Sequence, residues 1–484
     1  MKKILLFIAL ISLLASCQEL PVTETDKAVP MYPDYTDITI PVNIAPLNFL
    51  LRNNADGVKV IANGTELYSG SDNKVTFDMD EWKDFTQENA GKTVDVKVMA
   101  QEDGKWVGYK SFKWQIVKDS LDSYLTYRLI EPDYEVFNNL QIRQRCVENF
   151  DESALCDHNL VNNSCMNCHI VGNQNPDLSM MYVRGKNGGA VLNKDGKLRK
   201  LDLKKDDMIS ASVYGGFNHT GRYFVFSSNI IIPAFHAQGS KRLEVYDKKS
   251  DVYVADLDNN FIFTRHNLCD STVLETFPTF SPDGKYIYFC SAKRVKLPED
   301  IKNLKYSLCR TDFNESNGKI GQKVDTLLNA NIESVPGTCS KRSVCHPRVS
   351  PDGKYILYTV ADYGTFPIWH READLQMMNI KTGQIDTLAI VNSNRSDTYH
   401  SWSSNSRWFV FASKRDDGLY GKPYFCYIDR DGKTHKPFVL PQSSPDFYDM
   451  NLKSFNIPEL SKGKIPFNAV DVQRLMEKDA EKFK

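Results

Sequence analysis

Cys165, Met166, Asn167, Cys168 and His169 have the C-x-x-C-H spacing at which an exported chain fastens a c-type haem. Two thiols three residues apart can each bond one side group of a single porphyrin, and the adjacent imidazole then sits beneath the ring as an iron ligand. On this reading Cys165 and Cys168 carry the thioether bonds of one haem c and His169 is the proximal ligand. Met180 is the expected distal ligand, in reach if the loop folds over the ring, with His158 and His236 as alternatives; Arg184 is placed to pair with a propionate. Two other occupants stay open. Cys146, Cys156, Cys165 and Cys168 could make a tetrathiolate zinc site, although only one of these pairs has knuckle spacing. Cys165 and Cys168 could also close a plain disulfide, but the strand-helix context of a redox C-x-x-C is missing.

Such chemistry needs an oxidising compartment, and the first residues supply an address for one. Lys2 and Lys3 precede an apolar run over 4–15 that is too short to span a bilayer. Leu14, Ala15, Ser16 and Cys17 resemble the lipobox of bacterial lipoproteins, which implies a lipid anchor on Cys17. Gln18 is not the Asp that favours inner-membrane retention in such proteins. The expectation is a cell-envelope protein, an outer-membrane lipoprotein facing the periplasm and joined to the membrane through its lipid. Lys plus Arg number 60 against 61 for Asp plus Glu, so charge gives no support to a nucleic-acid partner. Of 11 cysteines, three go to lipid and haem, and the even remainder predicts disulfides. Cys146 with Cys156, Cys290 with Cys309, and Cys339 with Cys345 are the local pairs; Cys269 and Cys426 are left over.

The elements that must position these residues divide the chain. Residues 1–17 read as signal and anchor, and 18–35, polar and proline-containing, as a flexible tether. Over 36–118, Val58, Val60 and Ala62, then Val94, Val96 and Val98, then Phe112, Trp114 and Ile116 alternate with polar residues. Period two with turn signals between predicts a small β-sandwich, immunoglobulin-like in kind, acting as a spacer. Residues 119–185 would carry the haem. From Asn468 to the end, Val472, Leu475 and Met476 share one side of a predicted helix, 468–484.

The rest, 186–467, repeats. Phe280-Ser281-Pro282-Asp283-Gly284-Lys285-Tyr286 recurs as Val349-Ser350-Pro351-Asp352-Gly353-Lys354-Tyr355, and looser copies start at Phe217 and Trp402. Each close copy turns at Asp-Gly and enters a strand, so β-rich units recur along the chain, as in a β-propeller. These strings resemble the WD40-like repeats of the TolB propeller family, which implies a mainly β chain with a six-bladed TolB-like β-propeller. Four copies are visible; a hairpin at Asp195-Gly196 is a candidate for one more. The whole order of lipobox, β-domain, C-x-x-C-H and propeller also resembles a group of Bacteroidetes lipoproteins labelled TolB-like or cytochrome c biosynthesis proteins. Cys165 to His169, Asn175-Pro176-Asp177, Arg184-Gly185, Gly188-Gly189 and the run from His400 to Trp408 carry that likeness. Proteins of that group often have a His near the position of Tyr182, which tells against a bis-histidine haem here.

Weaker constellations yield to structural readings. Asp397, His400 and Ser401 lack a nucleophile elbow and lie at the entry of a strand, and Asp416-Asp417-Gly418 lacks the ligand ladder of a calcium loop. The sequence therefore predicts a membrane-anchored monohaem protein for electron transfer or redox sensing, its propeller docking a protein partner. The alternative is a haem-independent binding scaffold of the envelope. No acid-base set points to an enzyme, and no small-molecule substrate is indicated.

Overall fold

The computed structural model describes residues 22–131, 139–235, 243–331 and 342–484. Cys17, the signal, the first residues of the expected tether, His236 and Cys339 lie outside them. The chain is mainly β and divides into two compact units.

The N-terminal unit comprises 22–40, 46–117 and a late return at 441–450. A seven-stranded sheet and a three-stranded one form it with the helix Met79–Glu88, whose first turn is capped by Asp78 accepting from the amides of Asp80 and Glu81. The alternating residues Val58, Val60, Val94, Val96, Val98, Trp114 and Ile116 are all buried. The structure corrects the tether. Val22–Glu24 pairs in parallel with Lys105–Gly108, and Val29, Met31 and Tyr35 are buried, so packing begins well before Thr36. Tyr35 also uses its carbonyl to accept from the Trp114 indole at 2.8 Å.

Among the described residues the larger unit is built from six small sheets, five of them filled in sequence order from 166 to 439, with Glu481–Lys482 added in parallel to the first of these five. The first sheet combines both ends of the unit. Tyr124–Ile130, Gln141–Cys146 and Glu152–Asp157 supply three strands, and Ser454–Ser461 from the far end pairs antiparallel with the first of these. Residues 119–185 are therefore not a separate haem-bearing linker: they make the first sheet and open the second. Met166–Val171, Ser212–Phe217, Val273–Phe280, Ser343–Val349, Asp397–Trp402 and Ser454–Ser461 each stand at an edge of their sheet, and each contacts the corresponding strand of the next sheet. Contacts between Met166–Val171 and Ser454–Ser461 complete the sequence. We call these the inner strands.

The repeated string closes the turn after an inner strand. Ser281 Oγ donates to Asp283 and accepts from the amides of Lys285 and Tyr286, while Gly284, at φ +69°, lets its own amide reach the Ser281 carbonyl. Ser350, Asp352 and Tyr355 repeat the pattern. In the looser copies Asn218 Oδ1 takes the Tyr223 amide in place of a serine oxygen. Ser403 keeps both backbone bonds of the turn, with Ser406 adopting the left-handed backbone in glycine's place. The C-terminal helix, Ala469–Met476, has Asn468 as N-cap in a capping box and buries Val472, Leu475 and Met476.

Candidate functional site

All six inner strands break at one level. Cys168, Tyr214, Phe277, His346, Tyr399 and Ile457 each adopt a left-handed backbone, with φ between +33° and +54°. A register shift accompanies every one of them. Such backbone is unfavourable for non-glycine residues, most of all for β-branched Ile457, and bulges of this kind re-aim side chains. Here they turn a stack of rings inward. Tyr214 lies 4.5 Å from Phe277, Phe277 4.0 Å from His346, and His346 4.9 Å from Tyr399, centroid to centroid.

Two spaces flank this level. Cys168, His169, Tyr214, Phe277 and His346 line a cavity of about 40 Å³. His169 is 6 % exposed and its Nε2 is buried without a hydrogen-bond partner; both ring nitrogens of His346 are in the same condition. Burial, and then the Arg128 charge, push His169 down to about 3, so its ring is neutral near pH 7. His346 is lowered by burial and by His400.

The second space is a recess of about 300 Å³ at the beginnings of the inner strands. Arg128, Arg184 and Lys414 supply its cations, Tyr214, Tyr399, Phe366 and Trp369 its rings, and Cys165, Cys168 and Asn167 a polar flank. Arg128 donates to the Met166 carbonyl at 3.4 Å. The Arg184 guanidinium stands 3.2 Å from the Asn167 side-chain amide, whose oxygen accepts from it when the amide is turned to face it. Lys414 is 5 % exposed and its Nζ stands 4.1 Å above the Trp369 ring. Burial depresses its pKa to about 8, opposed by Asp417. None of the three cations has an ion pair among the described residues, and Glu131 is the one carboxylate of the lining. Three cations against one carboxylate give the recess a net positive lining, which favours an anion.

These positions correct the haem site. A c-type haem needs both thiols at one ring edge and the imidazole under the ring, whereas Met166–Val171 is a strand whose Met166 is buried in the apolar core. Cys165 packs against that core and opens on the recess, while His169 opens on the smaller cavity. The space that Cys168 and His169 share suits one or two waters, not a porphyrin. The residues present do not fit the group. Met180 is buried in the core among Ile170, Leu192 and Phe217, so its sulfur is no distal ligand. His158 is buried with Nδ1 3.2 Å from the Ser164 carbonyl. Arg184 does join Cys165 and Cys168 at one recess, and its amide bonds the Cys165 carbonyl at 2.8 Å.

The expected disulfides also fail among the described residues, where every cysteine is a free thiol. Cys156 pairs with Ile142, four residues along the strand from Cys146. Cys309 pairs with Phe289, one residue out of register from Cys290, so the two thiols enter different core clusters. Cys345 shares the cluster of Cys290, and Cys339 is not described. Among the described residues no group of three or more His, Cys, Asp or Glu could hold a metal, which removes the zinc alternative. Asp397, His400 and Ser401 form no triad: His400 Nε2 meets the Leu357 carbonyl at 2.9 Å, Asp397 binds Arg415, and Ser401 accepts from the Leu460 amide.

No known family profile matches the sequence, and no curated protein matches it. Solved structures with some likeness include a DUF4784 family protein from Bacteroides caccae, at 8 % identity and a TM-score of 0.31 over 75 % of this chain and 95 % of that one. A thermostable family-43 glycoside hydrolase is 11 % identical, with a TM-score of 0.34 over 58 % and 96 % of the respective chains. A puromycin-hydrolyzing peptidase of Mycobacterium tuberculosis is 11 % identical, with a TM-score of 0.34; the match spans 73 % of this chain and about half, 52 %, of the peptidase. The expected membership of the TolB-like, cytochrome c biosynthesis lipoproteins is corrected: no family profile supports it, and among the described residues the thiols are neither paired nor grouped for metal.

The recess itself was missed from sequence. Its residues come from at least five separate strands and loops, and the one shared signal, a bulge in every inner strand, places its left-handed backbone on a residue other than glycine each time.

Proposed function

We propose that this chain is a binding protein built on a closed six-bladed propeller, with an N-terminal sandwich, and that the recess takes a small organic anion. The propeller reading is supported by the six small sheets, the run of contacts between their inner strands, and the late strand Ser454–Ser461 that joins the first sheet. The observation that carries the ligand class is the convergence of Arg128, Arg184 and Lys414, without an ion pair among the described residues, on one aromatic-walled recess. Guanidinium forks recognise carboxylate and phosphate, and the rings suit the apolar or planar body of the ligand. Haem chemistry has no part in this reading. Export and anchoring through Cys17, and docking of a protein partner, stand beside it as proposals from the sequence.

The test is thermal unfolding of the protein with a panel of di- and tricarboxylates and phosphate monoesters at fixed ionic strength. A ligand held at a hundred times its Kd adds about 2.7 kcal/mol to stability. The expected result is stabilisation by at least one anion in the wild type and none in the Arg128→Gln, Arg184→Gln double variant. Equal stabilisation of both overturns the reading.

A further inference from the structure

Lys414 is more than a third cation. Arg128 already donates to a carbonyl inside the protein, and Arg184 meets the Asn167 side chain. Lys414 differs in three respects. It lies directly after the strand Trp408–Ser413, it is 5 % exposed, and its Nζ faces the recess across the Trp369 ring with neither carboxylate nor hydrogen-bond acceptor of its own among the described residues. A primary amine desolvated against an aromatic wall is an arrangement that frees a lysine lone pair for attack on carbonyl carbon. Its depressed pKa agrees with that geometry, since an appreciable fraction is neutral near pH 8.

We infer that Lys414 captures the carbonyl of an aldehyde or ketone that also bears a carboxylate or phosphate, forming a reversible imine while Arg128 and Arg184 hold the anionic group. The neutral amine adds to the carbonyl carbon, and a proton passes from nitrogen to the carbonyl oxygen to give a carbinolamine. Loss of that oxygen as water leaves a C=N bond; addition of water reverses the sequence. No oxidant or reductant is consumed. The inference rests on the anion reading above and names the class of ligand within it.

The experiment treats the full-length protein with glyoxylate in one arm and pyridoxal 5′-phosphate in another, each followed by cyanoborohydride and peptide mapping. The two arms separate a carboxylate from a phosphate ligand. Expected is a secondary amine at Lys414 approaching one per chain, at least tenfold ahead of exposed lysines such as Lys285 and Lys482. Lys414→Arg, which keeps the charge, loses that adduct, and the Arg128→Gln, Arg184→Gln variant forms it at least tenfold more slowly. Labelling of Lys414 no faster than of the exposed lysines in both arms overturns the inference. Oxalate and pyridoxine 5′-phosphate, which lack a reactive carbonyl, separate the two failures. If either stabilises the wild type and Lys414 stays unlabelled, only the imine is lost; if neither does and labelling is absent, the anion reading falls with it.

Discussion

The two ends of the inner strands are built on opposite rules. At the turn end, polar groups are matched: Ser350 and Asp352 bind each other, Ser404 and its amide bind Asp122, and the Trp408 indole donates to the Asp119 carbonyl at 2.8 Å. At the recess end, two guanidiniums and an ammonium converge without a carboxylate partner among the described residues, beside thiols and rings that the bulges turn inward. Lys414 is the buried one of the three, and a buried cation left unpaired costs stability, so a fold retains one where something else gains from it. The difference separates scaffold from site. Repetition specifies the closed end, and departure from repetition specifies the open one.

The largest effect that sharpens this contrast belongs to the turn end. Trp408 is fully buried, and Trp408→Ala removes both its packing and its hydrogen bond, at a cost of about 3–5 kcal/mol by denaturant unfolding. Anion affinity of the fraction that stays folded is expected to be unchanged. A loss of affinity at intact stability would break the contrast, because the closed end would then be reporting on ligand.

Arg128→Gln and Arg184→Gln come next and act the other way. Each removes a charge-assisted contact of about 1.5–3 kcal/mol, so affinity for the stabilising anion falls about 10- to 100-fold by titration calorimetry. Unfolding free energy is expected to hold within about 0.5 kcal/mol or rise, since one like charge is removed from the recess. Ser350→Ala is smaller again. It deletes one bond to Asp352 and one from the Tyr355 amide and costs about 1–2 kcal/mol of stability, with affinity unmoved.

What the sequence conveyed follows the same division. The S-P-D-G-K strings mark turns because each residue's job is local: serine oxygen to an amide five residues on, glycine to a left-handed φ. Alternation in 36–118 marked buried strands for the same reason. C-x-x-C-H misled because spacing along the chain says nothing of backbone state; in a bulged strand both thiols open on the recess, while the imidazole opens on the smaller cavity that only Cys168 shares with it. The cysteine count misled because a thiol that is buried among apolar side chains packs as a small hydrophobe and needs no partner. Arg128, Arg184 and Lys414 stand far apart in sequence with no common motif, and only the order of the sheets brings them together.

The smallest effect isolates Lys414. Its folded pKa of about 8 lies below the ordinary 10.5, with burial as the main cause, so the charged form is disfavoured by folding. Below pH 8 both states hold the proton and the penalty is present in full, without slope. Between pH 8 and 10.5 the unfolded chain keeps the proton that the folded one releases, so stability rises with pH across that window. From pH 8 to 9 the gain attributable to this residue is about 1 kcal/mol. Other groups titrate in the same range, so the quantity to measure is the difference between wild type and Lys414→Met in paired urea titrations at pH 7, 8 and 9. The variant preserves the stem over Trp369 and removes the charge. It is expected to be more stable than wild type at pH 7, with the margin narrowing by pH 9. A margin independent of pH would place the ammonium in water, and the recess end would then carry its cations as the turn end carries its own, solvated or paired and at no cost.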